Sequence, residues 1–407
     1  MRRRELLAAL AAPAALPTDG LFQKDPERYW LQLRKDQFLL PDSRAFLNNG
    51  TLGITPRPVL KVMEDFLENA AALTVPEGEY PRWGYETLDQ HRTEAAAYLG
   101  CRKEDLAFLH NATEALSTIA AGIDLKPGDE VLTTDQEHPS GRSGWLLKQA
   151  RYGTGYREVP IPLPPPSPEA LADLMISAIG PRTKVLFFSG ILSASGIVMP
   201  MRKICDAARA KGIITVIDGA HVNGQIPIRI DEMGCDYYAG SPHKWMFAPA
   251  GCGILWGREE RLAQLWPSIV TGGWDIKTDP AARFMRLGTN NRATIEGMRA
   301  GIQFGNQIGW PKIYARMHSL AQTARKRAAA LPFVKLNTPD NDAQYGCLVS
   351  IDIDKKIADP FIAECARKKI WIARGTRIRI STHIHTRPQD IDAFFTTLEE
   401  AAKKVAA

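Results

Sequence analysis

The sequence predicts an α/β protein: a large domain with a mostly parallel sheet, followed by a small C-terminal α/β domain. Three observations carry that expectation. Short strand-like runs alternate with helical stretches between residues 106 and 256, and strand–helix–strand alternation makes neighbouring strands parallel. One run, Ile213-Ile214-Thr215-Val216-Ile217, is β-branched throughout and bounded by Gly212 and by Asp218-Gly219, as a buried strand would be. After residue 345 the alternation resumes on a smaller scale, with strand-like runs at 345–353, 370–373 and 376–382 and helices near 359–368 and 388–405.

Taken in order, residues 20–45 are polar and mixed, and Trp30, Leu31, Leu33 and Phe38 suggest a helix. Phe46-Leu47 enters the turn Asn48-Asn49-Gly50-Thr51-Leu52-Gly53, whose glycines permit close backbone approach. Over residues 56–73, Val59, Leu60, Met63, Phe66 and Leu67 share one helix face. Residues 75–85 form a Pro/Gly-rich loop carrying Arg82, Trp83 and Tyr85, and 87–99 another helix. The strand 106–109 runs into His110-Asn111-Ala112-Thr113-Glu114 and a helix. Asn111 with Glu114 resembles a capping box, and the free N–H groups of such a helix start, with the Thr113 hydroxyl, make a phosphate cradle.

The strand 130–134 ends in Asp135-Gln136-Glu137-His138-Pro139-Ser140, and residues 160–168 are a proline-rich surface connection. A buried strand at 184–189 leads to the loop Ser193-Ala194-Ser195-Gly196, and a helix at 200–211 crosses back to the β-branched run. A short apolar run, Tyr237-Tyr238-Ala239, precedes Ser241-Pro242-His243-Lys244, and a strand follows at 251–256. Thr271-Gly272-Gly273-Trp274 is a tight glycine turn. Residues 292–331 are two helices split at Gly309-Trp310-Pro311, and Ile391, Phe394, Phe395 and Leu398 line one face of the last helix.

Two chemical groups stand out. The β-branched run delivers Asp218 at its C-terminal end, where open α/β sheets bind ligands. Lys244 follows in a Ser/His-flanked turn after another strand. A pyridoxal phosphate site needs such a pair: the lysine forms a Schiff base, and the carboxylate keeps the pyridine nitrogen protonated. Asp218-Gly219-Ala220-His221 together with Ser241-x-His243-Lys244 resembles the class V aminotransferase family of fold-type I pyridoxal phosphate enzymes, in its isopenicillin N epimerase-like branch. The resemblance runs from about residue 46 onward. It implies a seven-stranded-type, mostly parallel sheet in the large domain.

The resemblance also implies roles. Asn111, Ala112 and Thr113 match the phosphate-binding turn, with Ser241 and His243 completing it. His138 stacks on the cofactor ring, and His221 reaches the phenolic oxygen, where relatives often place an Asn at the position of Ser193. The turn containing Asn49 lies beside the substrate, and Arg379 grips the substrate carboxylate with a two-pronged guanidinium. The Thr271 segment and Arg286-Leu287-Gly288-Thr289-Asn290-Asn291 lie near a partner subunit, so a homodimer with shared active sites is expected. Cysteine desulfurases carry a cysteine-bearing loop between the positions of Arg374 and Arg379. Here only Gly375-Thr376-Arg377-Ile378 lies there, which sets desulfurase chemistry aside.

The expected function is therefore a pyridoxal 5'-phosphate enzyme acting on an α-amino acid through a Schiff base and a Cα carbanion, epimerase/racemase-like or aminotransferase-like. A C–S lyase working by β-elimination, or a non-catalytic binding protein of the same fold, is the alternative. Lys244, Asp218, His221 and His138 are the expected catalytic residues.

Composition fits. The 407 residues include 45% hydrophobic and 24% charged residues, which suits a large core. The net charge of +6 comes from scattered basic residues with no nucleic-acid stripe, and suits anionic cofactor and substrate groups. The six cysteines show no CxxC spacing and read as buried apolar residues, with no metal site implied. No apolar run approaches a membrane span. Arg2-Arg3-Arg4 followed by an Ala/Leu-rich run to Leu16 resembles a twin-arginine export signal, with Ala12-Pro13-Ala14 as its small-x-small site, and implies a periplasmic protein. A short N-terminal helix on a cytoplasmic enzyme is the alternative. The expected organisation is a signal segment at 1–18, an N-terminal segment at 19–55 packing on the small domain, a large cofactor-binding domain at 56–285 and a small domain at 286–407.

Overall fold

The computed structural model describes residues 14–72, 88–373 and 375–406. Residues 1–13 of the segment 1–18 expected to be an export signal, the loop at 75–85 with the first residue of the helix expected at 87–99, and Arg374 lie outside the described residues. After a two-residue strand β1 (Ala45–Phe46), the chain lays down β2 (Leu106–Leu109), β3 (Glu130–Thr134), β4 (Gly155–Val159), β5 (Thr183–Ser189), β6 (Ile214–Asp218), β7 (Tyr237–Gly240) and β8 (Gly253–Gly257). These seven form one sheet in the order β2-β8-β7-β6-β5-β3-β4. Only β8 runs against its neighbours, so the sheet is mostly parallel as expected.

The sheet buries both faces. Every residue of β2, β3, β7 and β8 is buried, which is why β2, β7 and β8 read as apolar runs and not as alternating patterns. The crossover helices Ala112–Gly122 and Met201–Ala210 cover it, held by Leu116 and Ile119 on one and Ile204 and Ala208 on the other. Three elements had no sequence signal: the helix Pro139–Tyr152, the edge strand β4 and the helix Pro168–Ser177.

The later strands are β9 (Lys335–Leu336), β10 (Leu348–Asp352), β11 (Ile370–Trp371) and β12 (Arg377–Ser381). A three-stranded antiparallel sheet, β12-β10-β9, carries a second apolar core with the helices Lys355–Arg367 and Pro388–Ala406, built on Phe361, Phe394, Phe395 and Leu398. β1 pairs in parallel with β11. The two cores share the flanking elements unevenly. Tyr29, Trp30, Leu33 and Phe38 of the N-terminal segment join the larger core, whereas Ala45 and Leu47 join the smaller. The helix Ala293–Ile308 buries Met298, Ile302 and Phe304 in the larger core, and the smaller core begins at Leu320 of the helix Trp310–Ala329.

Register places the chemistry. Ser189 of β5 pairs with Asp218 of β6, which pairs in turn with Ala239 of β7. The C-terminal ends of three adjacent parallel strands therefore lie level, and β7 feeds directly into Ser241 and the four-residue helix Pro242–Trp245.

Candidate active site

Asp218 is 5% exposed. Its Oδ1 accepts the Ala220 N–H at 2.9 Å, and its Oδ2 takes no hydrogen bond among the described residues. Burial pushes the carboxyl up, while the Ala220 N–H and the charges of Lys244 and His138 pull it back. The helix Pro139–Tyr152 can lie over this carboxylate because Gly141 lacks a side chain: a Cβ there would sit 2.9 Å from Phe187 Cζ and 3.3 Å from Asp218 Oδ2.

Lys244 reaches the same edge. Its Nζ lies 3.1 Å from Nε2 of His221. Burial brings the Lys244 amine down to about 8; Asp218 opposes the change and Arg379 adds to it. His221 is 3% exposed and its imidazole is held well below its ordinary range, first by burial and then by Lys244. His221 Nδ1 is buried without a hydrogen-bond partner. The lysine turn is braced from the N-terminal segment: Asn49 Nδ2 donates to the Lys244 carbonyl at 2.7 Å, and Gly53 N donates to the His243 carbonyl at 2.9 Å. Asn49 Oδ1 lies 3.3 Å from His385 Nε2, so both ends of that amide are engaged within the protein.

The helix Ala112–Gly122 begins at the same edge. Asn111 caps it by accepting the Glu114 N–H at 2.9 Å, and Glu114 reaches back to the His110 N–H at 2.7 Å, a capping box displaced by one residue. Ser241 Oγ accepts the Ala112 N–H at 3.2 Å, which leaves the hydroxyl proton free to donate. Thr113 is exposed at the helix start. Gly253 lets β8 approach, since a Cβ there would fall 2.4 Å from Asn111 N. His243 Nδ1 faces the Cys252 carbonyl at 3.0 Å, and burial holds its ring below the ordinary range.

His138 caps the helix Pro139–Tyr152, its Nδ1 accepting the Ser140 N–H at 3.2 Å. Desolvation, and then the Lys244 charge, keep it neutral more readily than a free imidazole. Arg379 donates from Nη1 to the Ser193 carbonyl at 2.7 Å and from Nη2 to the Thr51 hydroxyl at 3.1 Å. The contact made by Ser193 is thus through its backbone. Thr271 stands apart: its hydroxyl donates to the Arg286 carbonyl at 2.6 Å, and no contact among the described residues ties it to Lys244.

One residue escaped sequence reasoning. Glu137, 6% exposed, accepts from Thr134 Oγ1 at 2.6 Å, Ser189 N at 3.1 Å and Ser189 Oγ at 2.5 Å. Burial, with the Asp218 charge adding to it, raises its carboxyl to about 7 against those donors. The signal available was weak: an acid beside His138 at a strand end, with Asp135 two residues before it.

These groups fit pyridoxal phosphate. Lys244 supplies an amine brought down to about 8, so a usable fraction of it, about a tenth at pH 7, is neutral. Asp218 is a buried carboxylate with an oxygen open to a cationic ring nitrogen. The Asn111–Thr113 helix start, Ser241 and His243 supply donors for a phosphate, and His138 and His221 supply flat polar rings around the space between.

The class-V aminotransferase family model matches residues 45–394. The isopenicillin N epimerase of Amycolatopsis lactamdurans is 30% identical over 399 residues, spanning 92% of this chain and 99% of that protein. The isopenicillin N epimerase of Streptomyces clavuligerus is 31% identical over 395 residues, spanning 93% and 96%. Among solved structures, the apo cysteine desulfurase of Thermococcus onnurineus NA1 superposes with a TM-score of 0.80 at 22% identity, covering 92% of this chain and 98% of that one. The cystine C–S lyase C-DES, in complex with its product cysteine persulfide, superposes with a TM-score of 0.75 at 23% identity, covering 88% and 97%. These two structures bear on the fold.

Proposed function

This chain belongs to the class-V aminotransferase family, and from that membership we propose that it is an enzyme that breaks the Cα–H bond of an α-amino acid, with epimerisation or transamination as the outcome. Pyridoxal 5'-phosphate is its cofactor. When bound, it supplies an aldehyde for an amino group and a ring that accepts the electron pair left at Cα.

The observation that carries the reading is a buried amine, brought down to about 8, beside His221 and in the field of a buried Asp218. The chain's own residues have distinct tasks. Asp218 holds the opposite charge that keeps a ring nitrogen protonated. Asn111, Ala112, Thr113, Ser241 and His243 hold the phosphate; His138 covers a ring face and excludes water. Arg379 orients the substrate carboxylate, with Asn49 fixing the turn beside it. Lys244 Nζ, once free, takes the Cα proton, and His221 Nε2 orients that amine.

The epimerase outcome is supported by relatives at 30% and 31% identity across nearly the whole chain. β-Elimination at a C–S bond is the second reading, because it proceeds from the same carbanion at Cα. Persulfide storage needs a reactive thiol; Cys347 in the larger core and Cys365 in the smaller are each 1% exposed, and burial pushes both thiols up, that of Cys365 to about 12. A homodimer is supported by the exposed apolar patch flanking Thr271, formed by Trp266, Ile269, Val270 and Trp274. Twin-arginine export to the periplasm is supported by Arg2-Arg3-Arg4 and the Ala/Leu run after it, and residues 1–18 are assigned to that signal.

Deuterium exchange at Cα across an amino-acid panel, with keto-acid and elimination products followed in parallel, tests the function. Exchange with at least one amino acid, and borohydride labelling of the Lys244 peptide, are expected. Bound cofactor with no exchange across the panel refutes it. Sedimentation and the sequence of the mature N-terminus test the dimer and the export signal.

A further inference from the structure

Past Arg379, the chain of β12 runs on through Thr382 into His383-Ile384-His385, and both histidines are buried, at 2% and 1% exposure. Their rings lie nearly parallel, with centroids 5.1 Å apart and planes 17° apart. Neither has a part in the chemistry above. Both instead face the backbone of the lysine turn. His383 Nε2 lies 3.3 Å from the Trp245 carbonyl. His385 Nε2 lies 3.3 Å from Asn49 Oδ1, and the nitrogen of that same amide donates to the Lys244 carbonyl at 2.7 Å.

The partners fix where the protons sit. A carbonyl only accepts, so the Asn49 amide turns its nitrogen to Lys244 and its oxygen to His385. Both imidazoles therefore carry their proton on Nε2 and donate from it. Burial keeps the rings neutral, bringing His383 down to about 4 and holding His385 well below its ordinary range. The other nitrogen of each ring, Nδ1, is buried with no hydrogen-bond partner among the described residues. Phe38 and Phe46 pack on His385, and Phe247 on His383. In such an aromatic box a phenylalanine would leave no nitrogen orphaned. What it could not do is hold the two acceptors at the lysine turn, and that is what the histidines provide.

A row of rings makes the same link. His221, beside the Lys244 amine, lies 6.2 Å from Trp245 between centroids; Trp245 lies 6.1 Å from His383, and His385 comes next. At the far end Arg34 Nη1 donates to the His385 carbonyl at 2.8 Å and fixes that backbone. One run of chain thus carries Arg379 and the brace of the lysine turn. We infer that His383 and His385 are positioning residues of the active site: His383 directly, and His385 through Asn49, fix the Trp245 and Lys244 carbonyls relative to Arg379. They thereby set where the Lys244 amine stands. This rests on the proposed function, with Lys244 as the amine that takes the cofactor.

The test compares the wild type with His383→Phe, His385→Phe, His383→Gln and His385→Gln, each freed of cofactor and then offered pyridoxal 5'-phosphate. Phenylalanine keeps the ring and loses the donor; glutamine loses the ring and keeps a donor where Nε2 stands. Stopped-flow absorbance follows capture across the alkaline range. The phenylalanine variants are expected to capture about tenfold more slowly at pH 8, because the amine is misplaced. Their midpoint should move from about 8 toward the ordinary 10.5, because the turn no longer holds the amine in its buried place. Their thermal midpoint should stay near that of the wild type, since an unpaired acceptor is gained and an orphaned Nδ1 is lost. The glutamine variants should recover most of the capture rate and of its pH midpoint, even where they lose stability. Folded phenylalanine variants that capture as the wild type does overturn the inference. Glutamine variants impaired as deeply as their phenylalanine counterparts also overturn it, since ring packing alone would then explain the pair. Where a phenylalanine variant fails to fold, the glutamine variant decides: a wild-type midpoint supports the donor and a displaced one refutes it. Borohydride labelling of the wild type keeps the two readings apart. No label on the Lys244 peptide removes that lysine and this inference together, whereas a labelled wild type with unaffected variants overturns the inference alone.

Discussion

Lys244 Nζ lies 3.1 Å from His221 Nε2, and burial works against the charged form of both groups. A buried amine brought down to about 8 is a nucleophile at pH values where a free lysine is not. Capture of added pyridoxal phosphate by the apo-protein should therefore accelerate as pH rises through about 8 and level off above it. Stopped-flow absorbance checks this. A midpoint near 10.5, the ordinary value, would show that burial does not govern the amine.

Asp218→Asn keeps the shape of the side chain and removes its charge. Burial works against that charge, so the variant should fold at least as stably as the wild type. It should lose Cα–H exchange by roughly a thousandfold, about 4 kcal/mol of barrier, because an amide cannot hold a ring nitrogen in its protonated form. Thermal unfolding and exchange rates, measured on the same preparation, separate the two effects. Undiminished exchange would remove Asp218 from the chemistry.

The two ends of this site differ in how openly the sequence declares them. Asp218 ends a five-residue strand that is buried from its second residue on, and Asn111 caps a helix, so local pattern locates both. Lys244 is marked by its Ser-Pro-His neighbours. Asn49 is different: its amide bonds to the Lys244 carbonyl across 195 residues, and no local signal reports such a contact. The helix Pro139–Tyr152 hides for a related reason. It buries Gly141, Trp145 and Lys148 and exposes Leu147, so a lysine faces inward and an apolar residue faces out. β4 is an edge strand with mixed, mostly half-exposed residues and offers no apolar run. Glu137 was invisible because composition cannot say which of two acids at a strand end turns inward.

Arg379→Lys is expected to raise KM for the substrate by roughly 10- to 100-fold, about 1.5–3 kcal/mol, with a smaller change in kcat. The guanidinium uses separate nitrogens for the Ser193 carbonyl and the Thr51 hydroxyl, and an ammonium cannot keep both while gripping a carboxylate. Steady-state kinetics check the split. An unchanged KM would place the carboxylate elsewhere.

Gly53 is required by proximity. A Cβ at that position would fall 2.3 Å from the Lys244 carbonyl oxygen and 2.9 Å from that of His243. Gly53→Ala should therefore displace the lysine turn, cost roughly 1–3 kcal/mol of stability and weaken cofactor retention during dialysis. Gly20→Ala, in the helix Asp19–Lys24 with its nearest neighbour 3.9 Å away, is the control and should lose neither stability nor cofactor. Equal behaviour of the two variants would mean that the turn yields without effect.

Glu137 gives the protein a pH dependence of its own. Its folded-state carboxyl sits at about 7, above the ordinary 4.5, so folding favours the protonated acid. The stabilisation this brings is complete below pH 4.5 and is lost as pH rises through 7. Above that the ionised group stays buried, and the accumulated loss is on the order of 3 kcal/mol. Glu137→Gln keeps an acceptor for the Thr134 hydroxyl and the Ser189 N–H and gains a donor toward Ser189 Oγ, so the bonds that tie β3 to the end of β5 persist without a titrating group. The variant should gain on the wild type steadily between pH 4.5 and 7 and hold a constant advantage above. Glu137→Ala should lose stability at every pH, because Ser189, level with Asp218 in the sheet, loses its partner. Denaturant unfolding of all three proteins across that range decides it: parallel stability curves for wild type and Glu137→Gln would show that the buried carboxyl does not change its protonation there.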